Sequence, residues 1–294
     1  MSAASDLVRK QFAEGDARRD AGLTTPEDVV RYDDIPYGKD PRWQALDVYR
    51  PRAAQGETLP VIVSVHGGAW VYGSKEVYQF YCMGLAQRGF AVVNFSYRLA
   101  PEHPHPAALE DVNSAFGWVL ANAKAYGFDT KRVFAVGDSA GGHLLGLYSA
   151  LCSNAVFAAQ SGIRPPKGFV PRAVALNCGK YRIEMTGDED DQTRQLMRDF
   201  LPGGGTAQEL RQIDVTAHVT QAFPPTFLMT ANGDFLREQA PLMARCLMEN
   251  SVPFVFRFYG DARHELGHVF HCDVRSEDAR RCNDDECAFF RSFA

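Results

Sequence analysis

A serine set between glycines becomes a nucleophile when the chain turns sharply around it. Residues 137–141 read Gly-Asp-Ser-Ala-Gly, between the apolar run Arg132–Val136 and the helix-like stretch Gly142–Leu151. That strand–turn–helix setting lifts the Ser139 hydroxyl clear of a sheet, and the helix that begins there aims free N–H groups at developing negative charge. A second corner lies upstream, where His66-Gly67-Gly68-Ala69-Trp70 directly follows the apolar run Pro60–Val65. A tetrahedral oxyanion needs main-chain donors already in place, and small residues let the backbone come close enough. The expected donors are the N–H groups of Gly68, Ala69 and Ala140. Gly67 is assigned to the turn, and His66 to a structural hydrogen bond.

Both corners need strands to hold them. Short β-branched runs recur at Pro60–His66, Phe90–Phe95, Arg132–Val136, Ala173–Leu176, Pro225–Met229 and Phe254–Phe258. Two further short strands are expected near Val29–Asp33 and Ala45–Tyr49, with Asp40-Pro41 marking the turn between them. Helical patterns at Val77–Arg88, Ala107–Tyr126, Gly142–Leu151 and Glu238–Asn250 separate most of the runs. Such alternation predicts one α/β domain over residues 1–294, a mostly parallel sheet covered by helices. Residues 1–25 read as a surface helix. Residues 179–222 are polar, contain Pro202-Gly-Gly-Gly205 and are too long for a plain connection. The two segments are expected to form a small cap over the site.

Three segments carry a family resemblance. They are His66-Gly-Gly-Ala-Trp70, Tyr97-Arg-Leu-Ala-Pro-Glu-His-Pro-His-Pro-Ala-Ala-Leu-Glu-Asp111 and Gly137-Asp-Ser-Ala-Gly-Gly142. In that order they resemble the hormone-sensitive-lipase-like esterases, from about residue 45 to the end of the chain. The resemblance implies the α/β-hydrolase fold with an eight-stranded sheet, a cap, and hydrolysis of short acyl esters. Two features depart from the family pattern. Ala69 stands where a third glycine is frequent. His268-Val269-Phe270 replaces His-Gly-Phe, a version that resembles a bacterial subgroup of acetyl-xylan or feruloyl-type esterases.

In this fold an acid and then a histidine follow the serine along the chain. After Pro225–Met229 comes Thr-Ala-Asn-Gly-Asp234-Phe-Leu-Arg-Glu238. The segment resembles the family's D-P-L-R-D-E, so Asp234 is the expected acid and Glu238 the fallback. Asp234 would hold the imidazole tautomer and stabilise the imidazolium. His264, His268 and His271 compete as base. His268 is preferred because it fits His-x-Phe. His264 lies closer to the strand end, and His271 lies further into the next segment. The base would take the Ser139 proton, return it to the leaving alcohol and later activate water.

The remaining composition mostly excludes. A net charge of −5 gives no basic footprint for nucleic acid. There is no apolar run long enough to span a membrane, and the first residues lack the apolar core of a secretory signal. Seven scattered cysteines suit reduced thiols in a cytoplasmic protein better than a disulfide framework. No cofactor is expected. The expected partner is a small-molecule ester, and oligomeric state is not legible. Three other readings stay open: an arylformamidase with the same residues, a non-catalytic protein on this fold, and a zinc site among His264, His268, His271, Cys272, Cys282 and Cys287. No C-x-x-C pair supports the last. Trp70, Tyr72 and Phe80 are candidates for pocket lining or core. Asp138, Glu102 and Asp111 are read as structural, and Cys178 as a buried, inert thiol.

Overall fold

The computed structural model describes residues 1–185, 188 and 191–293. Residues 186, 187, 189 and 190 of the expected cap lie outside the described residues.

Helix α1 (Ala3–Asp20) leads into strands β1 (Val29–Pro36), β2 (Ala45–Pro51) and β3 (Leu59–Val65). Helix α2 (Lys75–Ala86) and strand β4 (Ala91–Phe95) follow, then α3 (Ala107–Ala121) and the single turn α4 (Ala123–Tyr126). The middle of the chain is β5 (Phe128–Asp138), α5 (Ala140–Ser153), α6 (Ala155–Ser161) and β6 (Ala173–Asn177). Then come α7 (Gln192–Phe200), α8 (Ala207–Gln212), β7 (Thr226–Ala231), α9 (Gln239–Glu249), β8 (Phe254–Tyr259) and α10 (Glu277–Arg291).

The strands form one eight-stranded sheet in the order β1-β2-β4-β3-β5-β6-β7-β8. Pairing is antiparallel from β1 to β2 and from β2 to β4, and parallel from there to β8. This is the α/β-hydrolase architecture, with helices on both faces of the sheet.

The two-residue period of a strand explains why both faces are apolar. Val61, Val63 and Val65 of β3 join one core cluster, while Ile62 joins the other. In β5, Val133 and Ala135 face the first cluster, and Phe134 and Val136 the second. Residues of α3, α5 and α9 fill the first cluster. Residues of α2 and α10 fill the second, among them Met83, Leu85, Cys282 and Phe290. Each fully buried aliphatic or aromatic side chain contributes roughly 1.5–3 kcal/mol. The central strands are therefore fixed in place, and so are the loops at their ends.

Some boundaries differ from the sequence reading. The helix expected over 107–126 breaks after Ala121, and its last turn ends at Gly127 with a left-handed φ of 63°. β5 begins at Phe128, before the expected Arg132, and its register with β3 shifts between Pro60 and Val61. The polar segment 179–222 divides. α7 packs beside α1, where Asp199 Oδ2 accepts from the Ser5 hydroxyl at 2.5 Å and from the Ser2 main-chain N–H at 2.8 Å. α8 lies elsewhere, bordering a separate cleft with Leu109 of α3 and Phe157 of α6. Of the segment's two described α-helices, α7 is the one that stands beside the N-terminal helix.

Candidate active site

The carboxyl ends of parallel strands are where open α/β sheets bind ligands. Here each expected chemical group sits at such an end. His66–Trp70 follows β3, Ser139 follows β5, Asp234 follows β7 and His268 follows β8.

The Ser139 corner is tight. Ser139 has φ 52° and ψ −119°, a conformation unfavourable for a residue with a side chain. Its N–H donates to the Asn177 carbonyl at 3.0 Å, and its carbonyl accepts from the His143 N–H at 3.1 Å. Gly141 is sterically required: an added Cβ would collide with the carbonyl oxygens of Val65 and His66. Where β5 turns into α5, no backbone but glycine fits against the end of β3.

The upstream corner bends through three consecutive left-handed residues, Gly68, Ala69 and Trp70, with φ of 119°, 51° and 64°. The N–H groups of Gly68, Ala69 and Ala140 donate to no protein acceptor among the described residues. Gly67 differs. Its N–H donates to the Tyr78 hydroxyl at 2.9 Å, and that hydroxyl donates to Asp138 Oδ2 at 2.6 Å. This bridge ties the end of β3 to the end of β5. Burial pushes the Asp138 carboxyl up to about 6, although the Tyr78 hydroxyl pulls it back down. His66 stacks on Tyr97 at 3.9 Å, with Nδ1 2.8 Å from the Gly67 carbonyl. Burial lowers its pKa to about 4, so the ring is neutral and packs as part of the wall.

His268 Nδ1 lies 2.7 Å from Asp234 Oδ1. The carboxylate is held by more than the imidazole: the Leu236 N–H donates to Oδ1 at 2.8 Å, and the Thr230 hydroxyl to Oδ2 at 2.7 Å. Burial alone would raise the Asp234 pKa, but the His268 contact and these two donors outweigh it and hold it below its ordinary value. An ionised Asp234 requires the proton on Nδ1, which leaves Nε2 as the basic nitrogen. Ser139 and His268 both line a cleft of about 250 Å³. A second cleft, about 510 Å³, also ends at Ser139 and reaches between α1 and α7. Phe12 and Phe235 border both, so Ser139 stands where the two meet.

Residues 62–269 match the family described as the alpha/beta hydrolase fold. The chain belongs to that family. Among its relatives, Esterase LipC of Mycobacterium tuberculosis is 36% identical over 237 residues, covering 79% of this chain and 56% of LipC. Carboxylesterase NlhH of the same organism is 38% identical over 245 residues, covering 76% of this chain and 70% of NlhH. Esterase B from Lactobacillus rhamnosis superposes with a TM-score of 0.89 at 26% identity, covering 99% of this chain and 94% of its own. The chain thus spans little more than half of LipC but nearly the whole of Esterase B.

The structure sorts the three candidate histidines. His264 is exposed, with Nε2 2.7 Å from Asp278 on α10. His271 is fully buried against Tyr81, and burial lowers its pKa to about 3. Glu238, the alternative acid, points to solvent beside Arg237. No three of the residues considered for zinc come together among the described residues. Among the described residues, the one cluster with metal-binding geometry is Cys178, Asp234 and His268, and two of these form the acid–base contact. Glu102 pairs with Arg9, and Asp111 pairs with Arg98. Trp70 and Tyr72 line the clefts, whereas Phe80 packs into the α2 side of the core.

Sequence reasoning missed Thr230, Asp16, Arg19, Tyr78 and Lys180. Thr230 had a readable signal, since it lies four residues before Asp234 where a strand passes into a turn. The others are gathered only by the tertiary fold.

Proposed function

We propose that this hydrolase is a serine carboxylesterase acting on short-chain acyl esters, with Ser139 as nucleophile, His268 as base and Asp234 as its acid partner. The observation that carries this reading is the 2.7 Å contact between His268 Nδ1 and Asp234 Oδ1 beside a cleft that Ser139 also lines. His268 Nε2 takes the Ser139 proton as Oγ attacks the ester carbonyl. The N–H groups of Gly68, Ala69 and Ala140 receive the oxyanion, which is why they have no partner in the resting fold. His268 then returns the proton to the departing alcohol. A water activated by the same nitrogen releases the acid from the acyl-enzyme.

The names of the relatives, esterases and carboxylesterases, support the bond type. Esterase B, inhibited by a tributyrin phosphonate in one structure, supports a short acyl chain. Helices α1 and α7 serve as the cap. Among the described residues no helix is long and apolar enough to cross a membrane. The seven cysteines are all free thiols, six of them buried, which fits a protein of the cytoplasm. A series of p-nitrophenyl esters from acetate to dodecanoate tests the assignment. Turnover should peak at acetate or butyrate and vanish in Ser139→Ala. An optimum at decanoate or longer overturns the short-chain reading. Faster turnover of N-formylkynurenine than of any ester favours the formamidase reading.

A further inference from the structure

The two clefts at Ser139 differ in charge. The one shared with His268 contains Asp16, Arg19 and Asp138, already engaged with one another's neighbours: Asp16 pairs with Arg19 at 2.8 Å and accepts from Tyr72, and Asp138 accepts from Tyr78. The cleft between α1 and α7 is mostly apolar, walled by Phe12, Trp70, Ile183, Leu196 and Met197. Among the described residues that line it Lys180 is the one that carries charge, and no described carboxylate joins it there. The main chain at Lys180 is tied to the Ser139 corner, since its N–H donates to the Ser139 carbonyl at 3.3 Å. Its ammonium makes no hydrogen bond or ion pair among the described residues. Glu184, the acid whose charge acts on it, is exposed and not within ion-pair distance. Burial lowers the Lys180 pKa, with Glu184 opposing. A half-buried ammonium without a counter-ion is costly, and a ligand that supplies the anion recovers that cost.

Chemistry decides which half of an ester meets Lys180. His268 must hand its proton to the leaving oxygen, so the alcohol departs through the cleft His268 lines. The acyl group then occupies the other cleft, beside Ala69, Ala140 and Lys180. We propose that Lys180 is the acyl-specificity residue and that the preferred substrates are monoesters of short dicarboxylic acids, whose free carboxylate pairs with its ammonium. This rests on the reading of Ser139 as nucleophile. It also requires that the cleft accept a chain with an anionic end more readily than a neutral chain of the same length.

The test compares monomethyl succinate with methyl levulinate on the full chain, followed by proton release. The two esters lose the same alcohol and differ in a terminal carboxylate against a methyl ketone. One well-formed charged contact corresponds to a preference of about ten-fold or more, so kcat/KM for monomethyl succinate should exceed that for methyl levulinate by at least that factor. Lys180→Met should erase the preference, chiefly through a raised KM for monomethyl succinate, so that the two esters are turned over with similar kcat/KM. Lys180→Arg should retain most of it. Equal losses on both esters in Lys180→Met would mean a structural role and overturn the proposal. So would a wild-type protein that turns over p-nitrophenyl acetate but shows no preference for the monoanion, an outcome that leaves the esterase reading standing. Failure to hydrolyse p-nitrophenyl acetate as well would overturn both.

Discussion

Replacing Glu286 by Gln should change how the fold responds to pH while leaving the proposed chemistry untouched. Glu286 lies on α10, fully buried. Its Oε1 accepts from the Tyr81 hydroxyl at 3.0 Å, and its Oε2 from the Asn177 side-chain amide at 2.6 Å. Asn177 in turn accepts the Ser139 N–H, so this acid braces the wall behind the nucleophile. Burial pushes its carboxyl up to about 7 from an ordinary 4.5, against the pull of Asn177 and Tyr81. A raised acid holds its proton more tightly folded than unfolded. Its favourable contribution is therefore full below about 4.5 and is lost as pH rises through about 7. The interval from 4.5 to about 7 is roughly 2.5 pH units, on the order of 3 kcal/mol at about 1.4 kcal/mol per unit. Gln is isosteric and stays neutral: its oxygen can take the Asn177 amide proton, and its own amide can donate to the Tyr81 oxygen. Thermal melts of both proteins at several values between about pH 5 and pH 8 read the difference. Relative to wild type, Glu286→Gln should gain roughly 5 °C or more in Tm across that range. Esterase turnover at neutral pH should stay close to wild type. A Tm difference that is the same at every pH would refute the reasoning, since Glu286 would then titrate alike in both states.

Three other substitutions probe the site's construction. Gly141→Ala places a methyl group against the carbonyls of Val65 and His66, and neither can retreat without moving the His66–Trp70 corner. The variant should lose roughly 3 kcal/mol or more by urea melts, and a wild-type midpoint with full turnover would contradict the packing. Asp234→Asn keeps the shape but removes the charge proposed to stabilise the imidazolium, so kcat should fall on the order of 10,000-fold while Tm changes little. His264→Ala, which loses only a surface contact to Asp278, should leave kcat within about two-fold in the same assay. The reverse ranking of these two variants would move the base from residue 268 to residue 264.

Much of this site was legible because its parts are local. A Gly-Asp-Ser-Ala-Gly pentapeptide between strand and helix can be recognised without a fold, and the six apolar runs and the two further short strands all became strands of one sheet. The glycines carry readable steric demands, as Gly141 shows. The choice among His264, His268 and His271 was less legible, because all three sit in one polar loop region within eight positions of one another. Only the approach of the loop after β8 to the turn after β7 separates them, and that is a contact across 34 positions of chain. The division of residues 179–222 was not readable either. α7 has a strongly amphipathic sequence that suits packing on α1, while α8 is short and polar, held by its Thr206–Glu209 capping box. Nothing in their composition says that one borders the Ser139 cleft and the other a different cleft. Lys180 gave no signal at all, since a lysine in a polar stretch reads as solvated until apolar walls are seen around it.

The central claim is that the residue 139 hydroxyl forms the bond to the acyl group. Incubating the protein with a short-chain phosphonate ester and locating the adduct by peptide mass spectrometry tests it most directly. A single adduct on Ser139, formed in step with loss of esterase turnover and absent from Ser139→Ala, is the predicted result. An adduct on another residue, or a Ser139→Ala protein that still turns over ester at a substantial rate, would contradict it.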